Sequence, residues 1–415
     1  MQLLTEMALP FLDVDAPEFH KDPFRFADEA RKEHPWLARF SHGYVIHGYQ
    51  AARDLAVRDE DLQLSFSQVV DFHQGRDTPW GEFMIDMLMT SPAAKHKRLR
   101  DSVAAGFTPR RANQIRPMVR EVVGDLLDRW APRGAFDFAD FAANYPVAVM
   151  CGLLGISAAS VAGLRQSLDD HMSSLTFKPD IWPKIEAAYR EMDGFVRSVI
   201  AEREKSGKTE DGSELDAFIN AKNAGQMDET ELRFMLLTFV VAGYDTSKNM
   251  LAMIVHTLLD HPEMWDHCAD DIGYCGKVVE EALRYAAIAT LYREVVRDFD
   301  YDGIRFPKGI TLTFAFPLTG RDPVAFPDPH RFDPERSSVN RHSAFGRGSH
   351  ICIGQYIARA LLEEGLHLIA RRLRQPRLAG EPVWKPFLGA WGFEKLPIAF
   401  DPAPVRSAVG TATSA

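Results

Sequence analysis

The chain of 415 residues carries 58 acidic and 48 basic side chains, and its net charge of -10 argues against a nucleic-acid-binding protein. Hydrophobic residues make up 46% of it, which indicates a globular fold with a substantial core. No apolar run approaches the roughly 20 residues of a transmembrane helix, so we expect a cytoplasmic protein without membrane contact. Its four cysteines are spaced too widely to indicate a disulfide framework or a metal-binding pair.

Helical patterns dominate from about residue 95 to residue 285, whereas extended segments such as GYVIHGY and LPIAF are short and few. Between residues 302 and 345, repeated prolines forbid regular helix and predict an ordered coil. The predicted fold class is therefore mainly α with small β-sheets. We expect one domain over residues 1–405 and a disordered tail over residues 406–415.

The longest predicted helix begins after Asp228, an N-cap that Glu231 completes in a capping box, and stops at Pro262. Its length of about 50 Å, at 1.5 Å per residue, is enough to cross a domain. Asp245 and Thr246 interrupt its apolar centre, although a buried carboxylate is costly unless it is paired. Two interpretations stay open: a functional site, or a kink in which Thr246 bonds back to its own helix.

The segment FGRGSHICIG, residues 345 to 354, places Cys352 just ahead of a predicted helix. The apolar positions of that helix repeat at three-to-four spacing and predict a buried face: Ile357, Leu361, Leu362 and Leu366. The start of a helix supplies N–H groups that lower the pKa of a thiol. The glycines of the segment allow sharp turns or close approach to a flat cofactor.

Other kinds of site fail on spacing. A dinucleotide-binding loop would need glycine where Ile351 stands, and a nucleophile elbow would need a G-x-S-x-G pattern, which Ser349 lacks. Zinc and iron–sulfur sites would need more cysteines nearby. A buried structural cysteine remains as the alternative.

The pattern F-x-x-G-x-H-x-C-x-G resembles the haem-binding signature of the cytochrome P450 family, and residues 345 to 354 match every defined position. AGYDTS, residues 242 to 247, is similar to that family's oxygen-activation motif A-G-x-[D/E]-T. The resemblance implies a cytochrome P450 fold, with haem b between the long central helix and the helix after the cysteine loop. It makes Cys352 the proximal ligand of the haem iron. It makes Thr246 a hydrogen-bonding partner of the activated oxygen, and Asp245 a relay of protons from solvent.

EEALRY contains Glu281 and Arg284 at i and i+3, on one helix face. The pattern alone is weak, because most such pairs are solvated surface contacts. Together with the proline-rich segment after it, this pattern resembles the family's structural triad. Its third member is then Arg331, with Arg336 as the alternative.

The resemblance also implies which side chains hold the haem. His350 and the residue Gly354 belong to the cysteine loop, and KHKRLR resembles the H-x-x-x-R of the propionate-binding helix through His96 and Arg100. Arg293 fits the family's other propionate arginine. The chain reads SPAAKH where many bacterial members have D-P-P-E before the histidine, so the loop before His96 departs from the family pattern.

By resemblance, one group of mostly small or apolar residues overhangs the distal face of the haem: Thr238, Val241, Ala242, Ala289, Thr290, Leu291, Ala390 and Trp391. Such a pocket suits a compact hydrophobic molecule, for example a terpenoid or a substituted aromatic. Packing of an ordinary core is the alternative explanation for many of these residues.

The implied activity is that of a monooxygenase, which inserts one atom of O2 into a C–H bond and reduces the other to water. We expect no fused flavin or iron–sulfur domain, so a ferredoxin and an NAD(P)H-dependent ferredoxin reductase are the implied partners of a monomer. A basic group is a candidate docking patch, with ordinary surface charge as the alternative: Lys95, Lys97, Arg98, Arg110 and Arg111.

Two other functions compete. One is a haem-thiolate peroxygenase or isomerase that needs no ferredoxin, and Asp245 and Thr246 argue against it because such enzymes commonly dispense with the acid–alcohol pair. The other is a non-catalytic haem-binding protein, such as a gas sensor or a carrier. A sensor would usually carry an output domain, for which we expect no residues to remain.

Overall fold

Helices dominate the computed structural model, which describes residues 2–157, 161–207 and 212–402, and the predicted mainly α class is confirmed. The α-helices of these ranges are α1 (Pro17–Lys21), α2 (Pro23–Glu33), α3 (Tyr49–Leu55), α4 (Ser67–Phe72), α5 (Pro79–Asp86), α6 (Ala93–Val103), α7 (Pro109–Trp130), α8 (Phe138–Leu154), α9 (Arg165–Ser173), α10 (Trp182–Ser206), α11 (Glu214–Asn223), α12 (Glu229–Leu258), α13 (Pro262–Asp270), α14 (Ile272–Tyr285), α15 (Phe316–Thr319) and α16 (Gln355–Arg372). None of the helices in these ranges combines the length and apolar character that crossing a membrane requires.

The strands of the described ranges are short and lie in four small sheets. They are β1 (Gln2–Leu3), β2 (Leu37–Phe40), β3 (Gly43–Ile46), β4 (Leu62–Leu64), β5 (Ala135–Asp137), β6 (Thr290–Val295), β7 (Phe299–Tyr301), β8 (Ile304–Phe306), β9 (Thr311–Ala315), β10 (Leu373–Leu378), β11 (Val383–Trp384), β12 (Phe393–Lys395) and β13 (Pro397–Pro402). The largest sheet has the order β2-β3-β9-β6-β4, with β3 and β9 parallel. The others are β1-β8-β7, β10-β13-β5 and β11-β12. A second, smaller core lies between the largest sheet, β1-β8-β7 and α3.

The long central helix α12 packs against α8, α9, α10, α11, α14 and α16, so its middle lies inside the fold. The predicted capping box is present, since Asp228 accepts from Glu231 N–H and the Glu231 carboxylate accepts from Asp228 N–H. Arg98 of α6 also donates to Glu231, at 2.6 and 3.0 Å, and these bonds lower the pKa of Glu231 to about 2. The helix ends at Leu258, before the predicted stop, because Pro262 opens α13 instead.

The cysteine loop leads into α16, and the predicted buried face of that helix is present. Cys352 N–H donates to Phe345 O at 2.8 Å and closes the loop. Gly346 and Gly348 both have φ of 70°, a left-handed conformation that glycine adopts without strain, so the turns of this loop depend on them.

The segment predicted as coil between residues 302 and 345 contains regular structure at its start. Strands β8 and β9 and the four-residue helix α15 lie there. Pro307 and Pro317 flank β9 rather than interrupt it, and a strand between two prolines keeps its ladder hydrogen bonds. The predicted tail over residues 406–415 lies outside the described residues, and the single domain over residues 1–405 stays a prediction.

Candidate active site

The middle of α12 exposes side chains although the helix is surrounded by other helices. Ala242 and Thr246, one turn apart, are exposed, whereas Tyr244 and Asp245 between them are buried. Side chains this exposed at the centre of a fold border an open internal space. Thr246 Oγ1 donates to Ala242 O at 2.7 Å, which is the back-bond that one interpretation of the sequence predicts, and α12 continues through it without a break.

Cys352 lies deep among protein atoms, yet its side chain is exposed. Both properties hold together only if the thiol faces an internal space. Loss of hydration raises the pKa of the Cys352 thiol, although the Gly354 backbone and the charges of Arg100 and Arg359 act in the opposite direction. The helix start alone therefore does not ionise this thiol. A bound metal cation would, because a coordinating thiol loses its proton outright.

The predicted propionate-binding side chains gather around the cysteine loop. The rings of His96 and His350 lie 4.2 Å apart, and Arg100 donates to Ile351 O at 2.6 Å. Burial, with the nearby charge of Arg293 among lesser causes, lowers the pKa of His350 to about 4. Within the described ranges, no carboxylate forms an ion pair with Arg100, so this half-buried cation is available to an anionic ligand.

A carboxylate that sequence reasoning missed belongs to the same cluster. Asp59, in the loop between α3 and β4, pairs with Arg293 at 3.0 Å and accepts a hydrogen bond from the Ser349 hydroxyl. Arg293 is 5% exposed and also donates to Leu62 O. Asp59 stands 234 positions before Arg293, and no local pattern in the sequence connects the two.

The loop before His96 has a local structure set by its own sequence. Pro92 is the N-cap residue of α6, and its carbonyl accepts from His96 N–H at 2.8 Å. The two alanines of SPAAKH form the first helical residues. The departure from D-P-P-E therefore leaves His96 inside a regular helix, one turn before Arg100.

Asp245 is 1% exposed, in contrast to Ala242 and Thr246 in the same turn of α12, which are exposed. Lys385 contacts its Oδ1 at 2.9 Å and Lys248 at 3.6 Å, while Oδ2 has no hydrogen-bond partner among the described residues. Burial alone would raise the pKa of Asp245, but the two lysines outweigh it and hold that pKa below its ordinary value. Asp245 is therefore ionised at neutral pH.

The surroundings of Asp245 open toward solvent. A cleft of about 480 Å³ is lined by Asp245, Lys248 and Lys385, together with Arg165 and Asp169. Lys248, which is buried, pairs mainly with Asp169 at 2.5 Å. Lys385 comes from the segment after β11, 140 positions along the chain, and the sequence offers no signal for this pairing.

Arg336, not Arg331, completes the structural triad. Glu281 and Arg284 are both fully buried and paired at 2.7 and 2.8 Å. Arg336 Nε lies 3.4 Å from Glu281, with its side chain 9% exposed. The side chain of Arg331 is 70% exposed, and only its backbone carbonyl takes part, as an acceptor from Arg284. The prediction of Arg331 is therefore wrong, because that side chain points to solvent.

Replacement of the two arginines tests this correction. We expect Arg336→Ala to lower the free energy of unfolding by about 2 kcal/mol, since it removes several hydrogen bonds to a buried carboxylate and to backbone carbonyls. Arg331→Ala should stay within about 0.5 kcal/mol of the parent, as surface replacements usually do. Denaturant unfolding of both variants measures the difference, and equal losses would contradict the assignment.

The predicted distal residues separate into two groups. Val241 and Ala242 on α12 are at least partly exposed toward the interior, as are Ala289 and Leu291. Alternation along a strand turns Thr290 the other way, where it is 1% exposed and its hydroxyl accepts from Gly389 N–H. The sequence could have revealed this alternation.

The remaining predicted pocket residues have little or no free surface. Trp391 is 1% exposed, packs against Phe24 and Trp384, and donates to His20 O. Trp391 and Thr290 are thus core residues rather than pocket residues. Thr238 and Ala390 are also buried, and the hydroxyl of Thr238 bonds back to Phe234 O.

The candidate docking patch is largely neutralised by acidic neighbours. Lys95 pairs with Asp86, Lys97 with Asp101, Arg98 with Glu231 and Arg111 with Glu214. Among the described residues, Arg110 alone of this group forms no ion pair. The alternative of ordinary surface charge therefore describes most of the group.

Comparison with known proteins agrees with this fold. A family model described as Cytochrome P450 matches residues 157–387. The chain is 34% identical to luteothin monooxygenase of Streptomyces thioluteus, over 95% of this chain and 97% of that protein. It is 29% identical to 6-deoxyerythronolide B hydroxylase of Saccharopolyspora erythraea, over 94% of this chain and 98% of the relative. The structure of epothilone B-bound cytochrome P450epoK, 24% identical, aligns with a TM-score of 0.85 over 94% of this chain and all of that one, which shows the fold alone.

The chain belongs to the cytochrome P450 family. It is a cytochrome P450 monooxygenase of bacterial type, and members of the family bind haem b through a cysteine thiolate.

The residues present fit such a cofactor. The accessible sulfur of Cys352 and the exposed patch of α12 at Ala242 and Thr246 border internal space. Arg100 offers a cation without a carboxylate partner in the described ranges, which suits a propionate. A side chain at position 354 would place its Cβ 3.9 Å from the Cys352 sulfur, so Gly354 keeps the surroundings of that sulfur open.

Proposed function

We propose that this monooxygenase hydroxylates a small hydrophobic molecule, a terpenoid or a substituted aromatic, with Cys352 as the thiolate ligand of the haem iron. The reaction consumes a C–H bond, one O2, two electrons and two protons, and it yields an alcohol and water. The observation that carries the assignment is the sulfur of Cys352, deep within the fold and yet accessible. In this proposal, a ferredoxin reduced by an NAD(P)H-dependent reductase delivers the electrons.

The bound haem supplies oxygen activation, with electron donation from the thiolate favouring O–O cleavage. The chain's own residues hold the cofactor and exclude water. In this proposal, the propionates bind to Arg100, Arg293, His96 and His350. This is supported by the 4.2 Å between the His96 and His350 rings and by the bond from Arg100 to Ile351 O of the cysteine loop. The backbone N–H of Gly354 acts to lower the pKa of the Cys352 thiol and so favours the thiolate form that ligates iron.

Protons reach the site from the polar cleft beside α12. Asp245 borders that cleft and Thr246, the next residue, faces the internal space, so the two link solvent to the reacting oxygen. The lysines keep Asp245 ionised between turnovers, and in this route its carboxylate is protonated only transiently as it relays a proton from solvent toward Thr246. The Thr246 hydroxyl, which now donates to Ala242 O, would donate its hydrogen bond to the reacting oxygen when the cofactor is bound.

The side chains facing the internal space favour an apolar substrate. Val241, Ala242, Ala289 and Leu291 offer no polar group, and the nearby hydroxyl of Thr238 is satisfied by its own helix. Such a surface gains from burying hydrocarbon and offers few fixed points for a charged metabolite. The names of the two relatives, a luteothin monooxygenase and a 6-deoxyerythronolide B hydroxylase, support an organic substrate, and the second name also supports hydroxylation.

The reduced, carbon-monoxide-bound spectrum of the purified protein tests the ligand. Thiolate ligation shifts the Soret band strongly to the red, and its absence from haem-loaded protein would contradict the proposal. Product formation from small hydrophobic compounds, with NAD(P)H, a reductase and a ferredoxin, tests the activity. Turnover with hydrogen peroxide and none with ferredoxin would indicate a peroxygenase instead.

Replacing Thr246 with alanine tests the proton route. We expect NAD(P)H consumption to continue while product per NAD(P)H falls about 10-fold or more, because proton delivery by positioned groups contributes at least that much. Thr257→Ala is the matched control, since Thr257 makes the same back-bond on the same helix, to Met253 O at 2.8 Å. Product and peroxide measured against NAD(P)H give the coupling, and an unchanged ratio in Thr246→Ala would contradict the route.

A further inference from the structure

Asp59 joins three separate parts of the cofactor site. One carboxylate oxygen pairs with Arg293 of β6 at 3.0 Å, and the other accepts from the hydroxyl of Ser349. Ser349 lies in the cysteine loop, three residues before Cys352. A single side chain thus fixes a predicted propionate-binding arginine relative to the loop that carries the predicted iron ligand.

The carboxylate is ionised in this position. Burial alone would raise the pKa of Asp59, but the hydrogen bonds from Ser349 and Arg293 outweigh it and lower that pKa. Its side chain is 30% exposed, and that of Arg293 is 5% exposed. The pair is therefore shielded from solvent more than a surface ion pair, and its charges act over a longer distance.

The cationic side chains of the proposed site do not match the two propionates one to one. In the proposed site, Arg100 and Arg293 would bind the two propionates, but Asp59 already neutralises the charge of Arg293. Adding an electron to the iron places negative charge near a site that already contains this extra carboxylate. Hydrogen bonds and charges around a haem are among the means by which a protein sets its reduction potential.

We propose that Asp59 is a positioning residue of the haem-propionate site, which holds Arg293 and Ser349 in place and makes the reduction potential of the haem more negative. The inference rests on the proposed function, since it takes Cys352 as the ligand and Arg293 as a propionate partner. Asp59 itself touches neither substrate nor iron. It acts through the arginine and the loop.

Two replacements separate its charge from its hydrogen bonds. Asp59→Asn keeps groups that can bond to Arg293 and Ser349 and removes the charge, so the midpoint potential should shift to a more positive value with little change in haem loss. Asp59→Ala removes the charge and both bonds. Its potential should also become more positive, and haem should transfer to an apomyoglobin scavenger about 10-fold faster, the size of effect that supporting partners of a metal ligand have.

Glu60→Gln is the matched control. Glu60 is the adjacent residue, its side chain is 84% exposed, and it pairs with Arg297 on the surface at 3.0 Å. The same charge is removed one position away, outside the cluster. Neither the potential nor the rate of haem loss should change, because surface charges are screened by solvent and salt.

Spectroelectrochemical titration of the holoprotein and the scavenger assay give both readouts without any measurement of turnover. An Asp59→Asn potential equal to that of the parent overturns the electrostatic part of the inference, and an unchanged rate of haem loss in Asp59→Ala overturns the positioning part. Should Asp59→Ala fail to fold, Asp59→Asn still decides the inference through its potential. Absence of the red-shifted band from the haem-loaded parent protein would instead overturn the proposed function.

Discussion

Replacement of Cys352 with serine should abolish the red-shifted Soret band of the reduced carbon-monoxide complex and reduce monooxygenase activity by more than about 100-fold. The loss should exceed the 10- to 100-fold typical of removing a group that only supports a ligand. A serine hydroxyl is a harder and much weaker donor than a thiolate, so the electron donation that favours oxygen cleavage is lost. Absorption spectra of the haem-loaded variant and product assays give the two readouts.

Cys151→Ala is the control for this prediction. Cys151 lies on α8, is 1% exposed, and is surrounded by apolar side chains that raise the pKa of its thiol to about 12. Its loss removes a sulfur from the protein without touching the cysteine loop. We expect an unchanged band, and a red-shifted band that survives in Cys352→Ser would show that another group ligates the iron.

Replacement of Glu281 with alanine should lower the free energy of unfolding by about 3–5 kcal/mol, the range for breaking a buried ion pair. Glu281 is fully buried and accepts from Arg284, Arg336 and the Asp333 N–H. Without it, the fully buried guanidinium of Arg284 keeps its carbonyl partners at Gly320 and Pro329 but loses its counter-charge. Since whole proteins are stable by only about 5–15 kcal/mol, the variant should yield little folded protein at elevated temperature.

Lys277→Ala on the same helix is the matched control. Lys277 pairs with Glu335 at 2.8 Å, and the two side chains are 53% and 63% exposed. Removal of this surface pair should cost less than about 1 kcal/mol. Denaturant unfolding compares the variants, with Glu281→Gln as a milder replacement if the alanine variant does not fold. A loss in Glu281→Ala no larger than that in Lys277→Ala would contradict a structural role for the buried pair.

Features determined by local sequence could be predicted well. The start of α12 is set by the reciprocal bonds of Asp228 and Glu231, which involve neighbours three residues apart. The buried face of α16 is set by its apolar spacing. The end of α12 is less well determined by local sequence, because proline is as favourable in the first turn of a following helix, where Pro262 lies, as it is after the end of the preceding helix.

Features determined by distant contacts could not be predicted. Arg331 and Arg336 stand five residues apart in an irregular segment, where no periodicity indicates which side chain points inward. Asp59 lies 234 positions from its partner Arg293, and Lys385 lies 140 positions from its partner Asp245. Only the folded chain brings these residues together. Trp391 has the apolar character of a pocket residue, but the same character suits the core in which it lies.

The ion pair between Arg98 and Glu231 fixes the position of α12 along its own axis relative to α6. It ties the first turn of that helix to α6, which carries His96 and Arg100, and fifteen residues of regular helix then lead to Thr246. At 1.5 Å per residue this is a span of about 22 Å, and each added residue would rotate the later part of the helix by about 100° around its axis. One residue inserted between Glu231 and Thr246 would turn the Thr246 hydroxyl away from the internal space. This part of α12 should therefore tolerate replacement of side chains far better than a change in its length.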